Sequence, residues 1–439
     1  MGTFIPSTTS QREEMLAKVG VSSYKGLYEA VPEEILLKRE DLNVPDGISE
    51  METAARMEEM AAENTVFRTI LRGAGSYDHY IPAIVRRVTS KEQFLTAYTP
   101  YQAEISQGVL QSIFEYQTEI CALTGMDVAN ASVYDGASAM AEAAAMCRDR
   151  HHPRTIVAAT VKPDNLETVR TYLWGAGASL DIAPEKDGRI DVDALAGMLG
   201  KDVGAVIFEQ PNRWGLLEDA EAIIEAVHKA GAKAVMSVNP ISLGLLKTPG
   251  ELGADIAVGE GQPLGMPMGF GGPYLGFMAA KQQMFRKLPG RIVGETTDDA
   301  GRRAYVLTLQ AREQHIRREK ASSNICSNEA LCAMTAAAYL AAVGPDGIRK
   351  AAELCLNKAH YLAAELAKIG YTPVYQGPFF HEFVTTCPVD ADKALAKLAE
   401  HGILGGLSTE RGILWCCTEK VTKAQIDEAV RILREEAQA

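Results

Sequence analysis

The segment Asp135-Gly136-Ala137-Ser138 stands directly before an alanine-rich stretch, AMAEAAAMCRD, that reads as a helix. Small residues there let backbone N–H groups approach an anion such as a phosphate at the positive end of the helix, so Gly136 and Ser138 are candidate anion contacts. The same four residues would serve equally as a plain N-cap over packing alanines. Two other places bear on chemistry. Asn239 ends the run AVMSV, and a neutral amide there cannot hold a cation as a carboxylate would. Gly261-Gln262-Pro263-Leu264-Gly265-Met266-Pro267 follows the run DIAVG without an amine, and no lysine occurs between Lys247 and Lys281. The eight cysteines (Cys121, Cys147, Cys326, Cys332, Cys355, Cys387, Cys416 and Cys417) make no CxxC and no zinc-spaced Cys/His cluster. They read as reduced thiols used as small core residues, and no metal is expected. Cys416 and Cys417, neighbours on an extended segment, point to opposite faces.

These residues need elements to position them. From about 115 to 280, apolar runs (TIVAATV at 155–161, AVIFEQ at 205–210, AVMSVN at 234–239, DIAVG at 255–259, YLGFMAA at 274–280) alternate with helical stretches. One such helix, 218–230, ends at Gly231. Alternation of this kind with nearly continuous apolar strands predicts a parallel-rich sheet covered on both faces. An alanine-rich helix over 324–343, with Asn324 as its cap, precedes Gly344-Pro345. The remainder reads as helix 347–368, strands 371–375 and 381–386, helix 390–400, strand 412–417 and helix 422–436. Residues before about 65 carry helix signals only, including a capping-box pattern at Ser10–Glu13 and Pro32-Glu33-Glu34 at a helix start. The expected organisation is a helical arm over 1–65, a large α/β domain over 66–330 and a small α+β domain over 331–439.

That outline describes several enzyme classes, and fold alone does not give function; one to be tested is the two-domain architecture of pyridoxal-phosphate enzymes of aminotransferase fold type I. Their chemistry needs a lysine for the Schiff base, an acid that keeps the pyridine nitrogen protonated, and phosphate donors at a helix N-terminus. Placed on that frame, Asn239 stands at the aspartate position and the lysine is absent. The chain reads as a catalytically incomplete copy of the fold.

Composition limits the partners. With 44 basic and 57 acidic residues the net charge is −13, which argues against a nucleic-acid partner. No apolar run approaches the roughly 18 residues that span a bilayer. The opening stretch, MGTFIPSTTSQREEML, is polar and acidic and carries no targeting pattern. A cytoplasmic location and no membrane partner are expected.

Several longer stretches are specific. TAYTPYQAEISQG at 96–108, RGAGSYDHYIPAIVRR at 72–87, QAREQHIRREKASSNIC at 310–326, YDGASAMAEA at 134–143 and GFGGPYLG at 269–276 resemble the N-terminal half of the glycine decarboxylase P-protein family, and the similarity covers essentially the whole chain. Enzymes of that family are either one chain of about twice this length or two separate subunits. The resemblance implies that this chain is the first of two subunits. The pyridoxal-phosphate lysine, usually preceded by His, would then lie in the second subunit, and the corresponding pair falls here at Gln262-Pro263. It also implies the reaction: glycine is decarboxylated with release of CO2, and its aminomethyl group passes to the lipoyl arm of the carrier H-protein. An α2β2 assembly is expected.

On that frame each half can reach into the other's cleft. Pro100 stiffens the YTPYQ loop, which presents two phenols and an amide suited to orienting a carboxylate or an imine oxygen. Tyr98, Tyr101 and Gln102 are therefore assigned to substrate or cofactor contact across the interface, and Glu104 to positioning or proton handling. Gly271 and Gly272, in the loop after the missing lysine, are expected to approach the partner's cofactor phosphate. The basic run Arg312, His315, Arg317, Arg318 and Lys320 reads either as a solvated face or as a surface that steers an acidic carrier or an anion. His79 is a weaker candidate. Two alternatives stay open: a free-standing pyridoxal-phosphate enzyme using Lys247 or Lys233, and a non-catalytic scaffold.

Overall fold

Strands buried on both faces read as unbroken apolar runs, and the run Val203–Gln210 has all eight residues buried. In the computed structural model, which describes residues 6–38, 42–95, 97–310, 314–321 and 323–438, this strand lies inside a seven-stranded sheet. The order across the sheet is Val128–Ala129, Gly276–Ala280, Ile256–Glu260, Lys233–Val238, Val203–Gln210, Arg154–Ala158, Ser179–Ala183. The last five are mutually parallel, and Gly276–Ala280 runs antiparallel to both its neighbours. Helices pack against the sheet, among them Gly136–Cys147, buried along nearly its whole length, and Ala220–Lys229, capped by Asp219.

The chain divides into two compact units, residues 1–65 and 66–439. In the first, helix Thr9–Val19 is closed by a reciprocal capping box between Thr8 and Gln11, two residues before the expected Ser10–Glu13 pair. Ser49 and Glu52 do the same for helix Glu50–Ala62. Pro32 precedes a single 3-10 turn, Glu33–Ile35. None of the described residues of this unit is buried.

The second unit holds two main cores. One surrounds the large sheet, and the other gathers Leu71, Tyr371, Trp415 and the inner faces of the last helices. Helix Ala330–Ala367 runs from one core into the other, and at Gly344 (φ 61°, ψ −176°) it breaks its own ladder. The expected helices 324–343 and 347–368 are therefore joined across a kink. Because the first turn begins at Ala330 after Glu329, Asn324 is not its cap. An 18-residue window of this helix has mean hydropathy 1.3, long and apolar enough by composition to cross a membrane, with 33% of the window buried.

The small antiparallel sheet orders as Glu382–Thr385, Gly412–Cys416, Leu407–Thr409. The strand expected at 371–375 reduces to one bridge, Pro373 to Thr385. The short strand Ile403–Leu404 instead pairs in parallel with Thr69–Ile70. A hairpin of Ile292–Thr297 and Arg303–Thr308, not foreseen from the sequence, leaves the large sheet beside helix Gln107–Thr124.

Candidate active site

Where a doubly wound sheet reverses its strand order, the carboxyl ends of the strands open a crevice that binds ligands. Here the reversal falls between Arg154–Ala158 and Val203–Gln210. A cleft of about 530 Å3 opens there, with Lys162, Glu209, Asn239, Glu260 and Pro263 on its walls.

The lysine in this cleft is fully engaged. Lys162 Nζ lies 2.7 Å from Glu209 Oε1, and its amide donates to Glu209 Oε2 at 2.9 Å. Burial alone would lower its pKa, but the carboxylates of Glu209 and Glu382 outweigh that and hold it raised, so the group stays an ammonium. Lys247 is exposed and paired with Glu221, while Lys233 begins its strand at the far end and binds Asp255. Neither lines the cleft.

Asn239 sits where the strand Lys233–Val238 ends, and its Oδ1 accepts the Ile241 amide at 2.9 Å. Gln262, fully buried, pins the 73–80 segment: Nε2 donates to Tyr77 O at 2.9 Å and Met266 O at 2.8 Å, and Oε1 accepts the Tyr77 amide at 2.9 Å. Pro263 follows with no amine.

The helix N-terminus is capped from within the chain, as the plain N-cap alternative has it. Gly136 N donates to Glu260 Oε2 at 2.9 Å, and Ser138 N donates to Asp135 Oδ1 at 2.7 Å. Glu260 Oε1 also accepts from Gln262 N at 2.9 Å and Leu275 N at 3.0 Å. Internal carboxylates thus satisfy the amides assigned to an external anion. Burial pushes the Glu260 carboxyl up to about 7 against the pull of these amide bonds. Gly136 is required here: a Cβ would stand 2.8 Å from Glu260 N. The residues present do not fit pyridoxal phosphate, since the ammonium is locked, the acid is an amide and the phosphate position holds a carboxylate.

The other assigned residues lie outside the cleft. Tyr98 is 87% exposed, Tyr101 is 51% exposed, and Gln102 and Glu104 are exposed on the same loop. Among the described residues, Tyr101 alone of these makes a side-chain bond, its hydroxyl accepting from Arg291 Nη2 at 2.9 Å. Gly271 and Gly272 have φ of 121° and 113° in a loop tipped by the fully exposed Phe270. Arg312 lies outside the described residues. His315, Arg317, Arg318 and Lys320 are exposed. Arg318 edges a second cavity of about 390 Å3 beside Glu142, whose carboxyl burial lifts to about 7. The structure thus gathers the cleft residues and leaves the loop residues on the surface.

His79 is a buried tie: its Nδ1 lies 2.7 Å from Glu419 Oε2, which also accepts from Cys355 Sγ at 3.3 Å. Cys416 and Cys417 are both buried, and burial pushes the Cys417 thiol up to about 12, so neither is poised as a thiolate. The sequence reading missed Glu260, the Lys162–Glu209 pair and Arg291. The first lies one residue beyond the apolar run DIAVG, and the others are single charges in apolar surroundings without a periodic signal.

A parallel-rich sheet, a cleft at its carboxyl ends and a small α+β sheet after a long bridging helix define the pyridoxal-phosphate-dependent transferase fold of type I. Sphingosine-1-phosphate lyase from Burkholderia pseudomallei shares the fold at TM-score 0.66 and 14% identity, over 94% of each chain. A crystal structure of glycine decarboxylase (P-protein) of the glycine cleavage system, in inhibitor-bound form, matches at TM-score 0.93 and 42% identity, over 99% of this chain and 100% of that one. The family described as Glycine cleavage system P-protein matches residues 2–433, and the chain belongs to that family. The Moorella thermoacetica protein called probable glycine dehydrogenase (decarboxylating) subunit 1 is 49% identical, over 98% of this chain and 99% of its own length.

Proposed function

We propose that this chain is the cofactor-free subunit 1 of a two-subunit glycine dehydrogenase (aminomethyl-transferring), an oxidoreductase of glycine catabolism. It pairs with a subunit 2 that holds pyridoxal phosphate on its own lysine. The observation that carries this reading is Glu260 at the N-terminus of helix Gly136–Cys147, with Pro263 and Asn239 where a lysine and an acid would be needed. The bound cofactor supplies the electron sink; this chain's part is to complete the partner's site. Tyr98, Tyr101 and Gln102 contact substrate or cofactor across the interface, Glu104 positions them, and Gly271 and Gly272 approach the partner's phosphate. The surface of Arg312, His315, Arg317 and Arg318 meets the lipoylated H-protein, to which the aminomethyl group passes as CO2 leaves and the lipoyl disulfide is opened. The assembly is α2β2 and works in the cytoplasm.

The test is reconstitution. Alone, the chain should take no pyridoxyl label on borohydride reduction with pyridoxal phosphate and should not exchange glycine carboxyl with bicarbonate. Adding subunit 2 should restore exchange. A labelled lysine in this chain, or exchange by the chain alone, overturns the reading.

A further inference from the structure

Arg291 immediately precedes the strand Ile292–Thr297 and is 3% exposed. A buried guanidinium is costly unless an opposite charge and hydrogen bonds compensate it. Lys162, also withdrawn from solvent, has Glu209. Arg291 has only neutral partners among the described residues. Its Nη2 donates to the Tyr101 hydroxyl at 2.9 Å, its Nη1 reaches Asn328 Oδ1 at 3.4 Å, and its buried Nε has no partner. The guanidinium also lies 5.1 Å from the centre of the Tyr101 ring.

The surroundings hold this charge in place. Arg291 O accepts the Ala131 amide at 2.8 Å, and Asn328 Nδ2 donates to Ala131 O at 2.8 Å. Next to them Ser132 holds a φ of 106°, a strained backbone of the kind that persists where its surroundings over-determine it. One side of the guanidinium is thus fixed. The other is covered by Tyr101, a half-exposed ring on the loop that carries Tyr98 and Gln102. The Tyr101 oxygen fills one acceptor place, and the Nε edge has none. A planar fork with an open edge matches two oxygens of a carboxylate.

We propose that Arg291, roofed by Tyr101, receives the carboxylate of the small amino-acid substrate once the Tyr101 side chain turns aside. This rests on the two-subunit reading and deepens it by naming the group that selects an amino acid by its acid end. The role is one of binding, so its loss falls on affinity and KM ahead of kcat.

The experiment uses the complex reconstituted with subunit 2 and compares wild type, Arg291→Gln and Arg291→Lys. Equilibrium dialysis of labelled glycine and the KM for glycine in bicarbonate exchange should both weaken by roughly tenfold or more in Arg291→Gln, because a charge-assisted pair is lost. Arg291→Lys should recover part of the affinity, since it keeps the charge without the fork. The Arg291→Gln chain should melt no lower than wild type, because an uncompensated buried charge has been removed. Unchanged glycine affinity in a folded, assembled Arg291→Gln complex overturns the inference. So does a folded variant that no longer assembles by size-exclusion chromatography, which would assign the charge to a carboxylate of the other subunit. Exchange by the wild-type complex tests the two-subunit reading separately, and the dialysis comparison decides the role of Arg291 whether or not exchange is seen.

Discussion

Gly136 N donates to Glu260 Oε2 at 2.9 Å, so the first turn of helix Gly136–Cys147 already has an acceptor from within the chain. A helix N-terminus at the carboxyl end of a parallel sheet is otherwise a ready place for a phosphate. Glu260 ends the strand Ile256–Glu260 and turns its carboxyl onto that helix, where it accepts the Gly136 amide.

Glu260→Ala should therefore be costly. It leaves the amides of Gly136, Gln262 and Leu275 without their acceptor, and unpaired buried donors cost about 1–3 kcal/mol each before water refills the gap. A loss of about 2–4 kcal/mol in urea unfolding is expected. An unchanged midpoint would show that the amides find solvent instead.

Acid should weaken the fold through Glu419. Burial works to raise this carboxyl, but His79 and the Tyr80 amide outweigh it and hold it at about 2, against an ordinary 4.5. Below 4.5 the unfolded chain takes up the proton before the folded one, so stability is complete above that pH and drains away as pH falls toward 2. The linked loss is on the order of 3 kcal/mol. Glu419→Gln should flatten this acid limb in a pH series of denaturant melts, and a limb of the same steepness in the variant would exclude Glu419 as its source.

Breaking the ion pair in the cleft should destabilise. Lys162→Met strands Glu209, whose side chain is 6% exposed, and the loss should be about 3 kcal/mol. Adding Glu209→Gln should return part of it by removing the orphaned charge. Additive costs in this double-mutant cycle would mean that the two groups are not coupled.

The loop residues should behave in the opposite way. Tyr98 is 87% exposed, so Tyr98→Phe should shift stability by no more than about 0.5 kcal/mol. In the reconstituted complex, Tyr98→Phe and Gln102→Ala should slow glycine exchange by roughly tenfold to a hundredfold through lost positioning. Full turnover with both variants would return the loop to a packing role.

Much of the architecture is legible along the chain because its signals are local. Val203–Gln210 and Lys233–Val238 are built on the short apolar stretches AVIF and AVM, and the missing lysine is a matter of reading Gly261 to Pro267. The short strands Thr69–Ile70 and Ile403–Leu404 were not legible, since two residues carry no periodicity and their pairing spans the length of the second unit. The kinked helix Ala330–Ala367 was read as two, because Gly and Pro mark both a helix end and a helix bend.

By itself the sequence determined the class of sheet, the family resemblance and the absence of an amine at Pro263. Each of these is a property of residue types and their near neighbours. Only the tertiary structure decided that Glu260 fills the helix end 124 residues away, that Lys162 is locked by Glu209, and that Arg291 lies under Tyr101 without a counter-ion among the described residues. Such pairings bring distant residues together through the packing of the sheet, and a buried charge declares its partner, or the lack of one, only when water has been excluded around it.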